Sequence, residues 1–507
     1  MEESRIDKSK KNILFGIIYQ IFYIFSNFFI RTVFIKMLNS EYLGINGLFS
    51  NILSVLSLAE LGIGNAIVFS MYKPLNEKDY EKLSKINYFY KKVYTTIGIL
   101  IFILGMTVVP ALKYIITDVN INMNNIVIYY ILFLLNTVSS YFYIYKTSIV
   151  TADQNDYIIK RITGISVLVK LIIQIIALIL FKSYTIYLII QLVISVITNF
   201  INSKIAEKKY PYIKEKKELD KAEKKDIFKN IKSMFMYQLG GVVLNNTDNI
   251  LISMIAGTAI VGIYSNYSMI ITAVESTIAM IFSALLASIG NYNIKNGSEN
   301  KYKVFKILNM MANWIYGFAS ICFLMMFQDF IQLWIGKDYL LKYNVLLITV
   351  INFYIRGILY PIWCFRNTTT LFNTTKNIML VAAILNIILS IILGEKFNLF
   401  GILLATALSR MLTNIWYEPK ILFKNIFNKK IIEYVIEQVM NIIFIIILYI
   451  GVNWIITQIC INNIFIKLVV EGIISVILVN IAFFIKFYKT DEFKYIINKV
   501  IKKNTKA

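Results

Sequence analysis

The chain has 507 residues, 58% of them hydrophobic and 15% aromatic, with 52 lysines and arginines against 29 aspartates and glutamates. So large an apolar excess lies outside the range of soluble domains and predicts an all-α polytopic membrane protein. With no histidine, imidazole acid–base catalysis and His-ligated metal are excluded, and Cys322, Cys364 and Cys460 lack metal-type spacing, so no metal, cofactor or catalytic residue is expected.

Residues 1–11, MEESRIDKSKK, are too charged for a cleavable signal peptide, so the first span is expected to act as its own insertion signal. Apolar runs follow near 12–37, 45–71, 89–112, 124–146, 162–181, 184–202, 233–256, 260–289, 304–327, 343–365, 377–394, 398–419, 432–457 and 464–485, about 14 transmembrane helices. The loops between them alternate between lysine-rich and nearly neutral. With the N-terminus inside, the outside loops carry only Lys36, Lys113, Lys182, Lys337, Lys342 and Lys396. This positive-inside bias places both termini in the cytoplasm. It also makes membrane lipids with anionic headgroups, and no nucleic acid, the partner of the basic face.

Asn202 to Ser233 is the longest polar segment, with eleven lysines, six acids and Pro211. It reads as a solvated connector, partly an amphipathic surface helix. It divides two related halves. A shift of 218 residues superposes Lys11–Ile13 on Lys229–Ile231, Tyr19-Gln20 on Tyr237-Gln238, Asn27 on Asn245, Gly44-Ile45 on Gly262-Ile263 and Ser50 on Ser268. Six spans separate the copies, so both enter the membrane in the same sense, a parallel repeat of the kind found in alternating-access transporters. The expected organisation is an N-terminal lobe at 1–202, the connector at 203–232, a C-terminal lobe at 233–420, and two appended spans with a basic tail at 421–507.

Polar residues recur at helical spacing inside the spans. Gln20, Asn27 and Arg31 share one face of the first, and Gln238, Asn245 and Asn249 repeat that spacing, with Asp248 adjacent. Ser50, Ser54, Ser57, Glu60 and Gly64 form a stripe in the second, echoed by Ser268 and Glu275. The deepest charges are Arg31, Lys170, Arg356 and Arg410 against Glu60, Asp248 and Glu275. In one arrangement they pair, for example Arg31 with Asp248, and hold the bundle in register. In the other they line a cationic cavity whose arginines grip phosphate while amides and hydroxyls meet sugar. Both can hold if the pairs break as the cavity opens. The candidate substrate-binding set is Gln20, Asn27, Arg31, Lys170, Asn245, Asn249, Arg356 and Arg410. Glu60, Asp248 and Glu275 are coupling acids for H⁺ or Na⁺, or ion-pair partners. Arg366 is expected at the cytoplasmic mouth. Pro110 and Pro361 are expected to kink their spans, and the sequons at Asn367 and Asn373 fall on the inside, hence unused.

The stretch Glu41–Leu75, EYLGINGLFSNILSVLSLAELGIGNAIVFSMYKPL, resembles the second span of bacterial polysaccharide-repeat flippases of the multidrug/oligosaccharidyl-lipid/polysaccharide exporter superfamily. LNNTDNILISMIAGTAIVGIYSNYSMI, Leu244–Ile270, is similar to their seventh and eighth spans, and the fourteen-span layout extends the resemblance over nearly the whole chain. The resemblance implies a V-shaped two-lobed bundle in the bacterial cytoplasmic (inner) membrane. It implies flipping of an isoprenoid-diphosphate-linked oligosaccharide to the outer leaflet for O-antigen or capsule, with a polysaccharide polymerase as downstream partner. Arg31, Lys170, Arg356 and Arg410 would supply the cationic cavity, and the appended spans a groove for the lipid tail. The alternatives are a peptidoglycan-precursor flippase and a cation-coupled multidrug exporter. A membrane glycosyltransferase or polymerase fits less well, since the longest outside loop, Gln328 to Lys342, holds only Asp329 and Asp338 as acids.

Overall fold

The computed structural model describes residues 5–60, 63–229, 231–295, 297–368, 371–459 and 461–504; among these there are helices and no strand. Cys460 and Thr369 of the first sequon lie outside the described residues. By contact the chain divides into two compact units, Met1–Ser265 and Asn266–Ala507.

The first unit begins with α1 (Arg5–Met37), α2 (Ser40–Leu56), α3 (Ile63–Glu77) and α4 (Tyr80–Val108). A 3-10 turn holding Pro110 ends α4 and leads into the single turn α5 (Leu112–Ile115). Then come α6 (Met123–Tyr141), α7 (Ile144–Ala152), α8 (Asp156–Phe181), α9 (Tyr184–Lys209), α10 (Lys221–Lys229), α11 (Ile231–Asn246), α12 (Asp248–Ala256) and the start of α13 (Thr258–Lys295). Side-chain caps fix several starts: Asn39 accepts from the Glu41 and Tyr42 amides at α2, Asp79 from Lys82 at α4 and Asn122 from Asn124 at α6. The second unit continues with α14 (Ser298–Ile335), α15 (Tyr343–Thr368, with Pro361 inside), α16 (Phe372–Leu412), α17 (Asn414–Leu422), α18 (Ile432–Thr457), α19 (Ile464–Phe487) and α20 (Asp491–Asn504).

Among the described residues, ten helical stretches are long and apolar enough to cross a membrane. One of them, Asn377–Phe427, contains two predicted spans that reverse at Asn398, where φ is 52° and ψ −136°. Gly401 makes that reversal possible, because a Cβ there would collide with the Leu393 carbonyl oxygen. The remaining predicted spans are α13 and the interrupted pairs α2–α3 and α11–α12. The chain is therefore an all-α multi-pass membrane protein, and the fourteen-span layout holds in outline.

Within the first unit α2 crosses the start of α13 without intervening side chains. A Cβ on Gly44 would collide with the Thr258 carbonyl oxygen, and one on Gly262 with the Ser40 carbonyl oxygen. Each of these residues is the 218-residue repeat mate of another, Ser40 of Thr258 and Gly44 of Gly262, so the contact is its own image under the repeat. Beside it, the Thr258 amide donates to the Thr117 carbonyl at 3.1 Å and the Thr117 amide to the Thr258 hydroxyl at 3.2 Å. The Ser253 hydroxyl donates to the Ile115 carbonyl at 2.8 Å, and the intervening Gly257 has φ +101°. The segment after α5 is thus pinned to the turn between α12 and α13.

The connector is docked rather than free. Buried Asn87 of α4 donates to the Ile213 carbonyl at 3.2 Å, Ser84 donates to that of Glu215, and Ile213 and Leu219 are buried. Lys82 pairs with Glu223 at 3.2 Å, and Lys92 with Glu218, which holds that exposed carboxyl below the usual carboxylate range.

In the second unit the appended helices pack on α14. Gly317 admits Phe483, whose ring edge would lie 2.7 Å from a Cβ, and the Trp314 indole donates to Asn480 at 2.9 Å. A buried amide network adds to this seam: Asn309 donates to Glu437 at 2.9 Å and receives Gln438 at 2.7 Å.

Gly44→Ala and Gly262→Ala should each lower the thermal midpoint in detergent, because overpacking at a helix crossing costs about 1–3 kcal/mol. Gly451→Ala, where a Cβ meets nothing within 4 Å, serves as the control and should hold or raise it. Equal midpoints for all three variants would contradict the close crossing.

Candidate functional site

The serine stripe of α2 ends in a break. Ser50 and Ser57 turn their hydroxyls back onto the Asn46 and Leu53 carbonyls, both at 2.8 Å, and the helix gives way to a 3-10 turn at Ser57–Glu60. Such back-bonding competes with the helix ladder. Glu60 accepts from the Tyr94 hydroxyl at 3.0 Å, and Tyr94 packs edge-on against Tyr90 at 4.4 Å. Gly64, read as part of the polar stripe, makes room for this tyrosine pair: a Cβ there would stand 2.6 Å from the Tyr94 oxygen.

A pocket of about 370 Å3 lies over the stripe, bounded by Ser50, Ser54 and Glu60 and closed by Gln191 of α9. A second pocket of about 280 Å3 adjoins it, since Asn136 and Thr137 of α6 line both. Into the second come Ser166 and Lys170 of α8 and Ser195 and Asn199 of α9. Lys170 makes no hydrogen bond or ion pair with any described residue. The side-chain amide oxygen of Asn136 is buried and likewise unpartnered among them. The two pockets form one polar lane through the first unit, with acceptors and donors on its walls and a single ammonium inside. The hydroxyls and amides of α6 and α9 escaped the sequence reading, although Asn136 with Ser140 and Gln191 with Ser195 stand four apart, the spacing of one helix face.

Arg31 is half-buried and donates to the hydroxyl of Ser265, the repeat mate of Gly47, within electrostatic reach of Tyr184 and Tyr187. Gln20 and Asn27 are half-buried on the same helix and make no hydrogen bond among the described residues. The repeat mates of Gln20, Asn27 and Arg31 do not all lie on one helix: Gln238 and Asn245 are on α11 and Asn249 on α12, with the interruption at Thr247 between them. Asn245, Asn246 and Thr247 all bond back to carbonyls four residues earlier, at 2.6, 2.9 and 2.8 Å. Asn245 is exposed, while Asp248 and Asn249 are half-buried in the first turn of α12.

In the second unit Glu275 and Arg356 form an ion pair of 2.7 Å, with 42% of the Arg356 side chain exposed. The other Glu275 carboxylate oxygen is buried and accepts from no described residue, and Arg410, 4% exposed, lies within electrostatic reach. Arg366 is not at an open mouth. Its guanidinium is buried against Glu418 at 2.9 Å, and the Asn414 amide donates to the second Glu418 oxygen at 2.7 Å, so the pair is satisfied inside the protein. Lys467, another intramembrane cation, pairs with Asp329 at 2.6 Å and Glu471 at 3.5 Å.

A family model described as "Polysaccharide biosynthesis protein" matches residues 9–292, more than half of the sequence. The chain belongs to that family. Among solved structures, it is similar to a lipid II flippase, MurJ, in an inward closed conformation, with a TM-score of 0.66, 17% identity, and coverage of 94% of this chain and 99% of that one. An inward-facing multidrug-resistance MATE transporter of the MOP superfamily matches at 0.57 and 14%, covering 78% and 93%. The MATE multidrug transporter DinF-BH matches at 0.57 and 16%, covering 83% and 97%. No curated protein matches the sequence. The fold is thus the one that these solved transporters share.

Arg366→Ala should destabilise the protein by about 3–5 kcal/mol, because Glu418 would be left as an uncompensated buried charge. The double replacement Arg366→Met with Glu418→Leu should recover most of that loss in a detergent unfolding assay.

Proposed function

We propose that this protein moves an isoprenoid-diphosphate-linked oligosaccharide from the cytoplasmic to the outer leaflet of the bacterial cytoplasmic membrane by alternating access, for surface polysaccharide export. The observation that carries this reading is the Lys170 ammonium, without an ion pair among the described residues, in a pocket walled by hydroxyls and amides. A cation in a membrane helix costs several kcal/mol when nothing compensates it. A diphosphate supplies the missing charge, and Ser, Thr and Asn side chains suit the sugars that follow it. Family membership supports a polysaccharide precursor, and the fold shared with a lipid II flippase supports a lipid-linked one.

In this scheme the lysine-rich loops and both termini face the cytoplasm. The α2–α13 crossing, with its latch at Thr117 and Thr258, closes the outer end and opens during transport. Arg31, Arg356 and Arg410 serve the substrate path, together with Gln20, Asn27, Asn245 and Asn249. Glu60, Asp248 and Glu275 carry a coupling H⁺ or Na⁺, or exchange ion-pair partners, and a polysaccharide polymerase takes the product outside. A second reading, a cation-coupled multidrug exporter, is favoured by one feature: Glu60 is an acid in a pocket beside tyrosines. The likeness to the lipid II flippase likewise keeps a peptidoglycan precursor as a third substrate.

The test is the sidedness of lipid-linked oligosaccharide in cells lacking the protein. Inner-leaflet accumulation is expected, reversed by wild type. Lys170→Ala should transport roughly ten- to a hundredfold more slowly, the loss of charge-assisted bonds to the diphosphate, while Lys170→Arg keeps part of the activity. Full rescue by Lys170→Ala would remove the lysine from the mechanism. Accumulation of lipid II would redirect the assignment to peptidoglycan, and drug sensitivity without accumulation would redirect it to the exporter branch.

A further inference from the structure

Three chain connections of the first unit meet at one end: α3 to α4, α7 to α8, and the close of α9 with the 3-10 turn after it. Between them lies a cleft of about 900 Å3, within the range of small-molecule sites. It shares no lining residue with the two pockets of the polar lane. Five tyrosines line it. Tyr72 and Tyr80 are 43% and 52% exposed, and the Tyr80 ring lies 4.9 Å from that of Tyr212, which meets Tyr210 edge-on at 6.1 Å.

Polar groups complete the lining. Asn155, 1% exposed, donates to Asp153 at 2.6 Å and to the Tyr210 hydroxyl at 2.9 Å. Its side-chain amide oxygen is buried and accepts from no described residue. Tyr210 donates to Asp153 at 2.8 Å; burial, and then that carboxylate, push its phenol up, so it remains a donor at neutral pH. The turn carrying these groups is fixed from α1: Asn12 donates to the Gln154 carbonyl and accepts from the Tyr157 amide, each at 2.8 Å. Lys78 and Lys209 add positive charge to the lining.

Ring faces, a free amide acceptor and ammonium groups together suit a carbohydrate. The C–H face of a pyranose stacks on tyrosine, its hydroxyls donate to Asn155, and an acidic sugar meets lysine. An apolar ligand would leave the Asn155 acceptor unmet, and a bare phosphate would make no use of the rings. We propose that this cleft binds the sugar end of the lipid-linked substrate, as a docking subsite separate from the lane that takes the diphosphate. The proposal rests on the flippase reading above.

The test uses the full-length protein in nanodiscs and two probes. One is the reducing oligosaccharide released by mild acid from the lipid-linked unit that accumulates in cells lacking the protein; the other is inorganic diphosphate. Tyr80→Ala and Tyr72→Ala, both at exposed positions, should each weaken oligosaccharide binding roughly three- to tenfold and leave diphosphate binding unchanged. Lys170→Ala should do the reverse. Oligosaccharide binding that is absent, or equal in wild type and both tyrosine variants, would overturn the docking subsite while leaving the flippase intact. Diphosphate binding that falls with the tyrosines would make the cleft an anion site and overturn it as well. If no lipid-linked unit accumulates, the flippase reading fails first and this proposal with it.

Discussion

The close approach of α2 and α13 sets the position of much of the first unit. Lipid gives helices no hydrophobic reason to associate, so contact depends on backbones coming near enough for dispersion and weak polar attraction, and only small residues permit that. Gly44 and Gly262 meet this need, each against a carbonyl of the opposite helix. The consequences run outward along both helices. The serine stripe of α2 is held in register down to its break at Ser57–Glu60. At the other side, the first turns of α13 carry Ser265 to the guanidinium of Arg31.

Charges inside the membrane fall into two groups, and magnitude separates them. Arg366 with Glu418, and Lys467 with Asp329 and Glu471, satisfy one another. Such pairs about break even against apolar residues of the same volume, which makes them architectural. Arg356 with Glu275 stands between, paired but open to solvent on the arginine side. Lys170 belongs to the other group. Hydroxyls and amides line its pocket, but no carboxylate or hydrogen bond of a described residue offsets its desolvation, an arrangement that leaves its charge directed at whatever occupies the pocket.

Hydropathy was enough to place the spans, because long apolar helices follow from the bilayer as solvent. The repeat was legible because Gly44 and Gly262, where a side chain would collide at the crossing, recur at the same spacing as matching neighbours such as Ile45 with Ile263 and Ser50 with Ser268. The interruption of α11–α12 was hidden, since Asn245, Asn246 and Thr247 break the helix through local back-bonding that periodicity does not register. Arg366 misled because its partner is 52 positions away on another helix. Asn87 gave no warning that the connector would be held to α4 by backbone carbonyls. The lane's α6 and α9 walls were visible as helical spacing, yet hydroxyls and amides are common in membrane helices, and only their convergence on Lys170 distinguishes them.

The α2–α13 crossing has one further consequence. A surface that is its own complement under a half-turn serves equally well between two copies of a single-repeat chain, as in any isologous dimer. Joining the copies through the connector makes the association independent of concentration and relieves the two sides of the duty to remain identical. Gly47 faces Ser265, and Arg31 has Asn249 as its counterpart. Asymmetry of this kind is what a homodimer cannot acquire: a cation on one side of the axis with an amide rather than a second cation on the other.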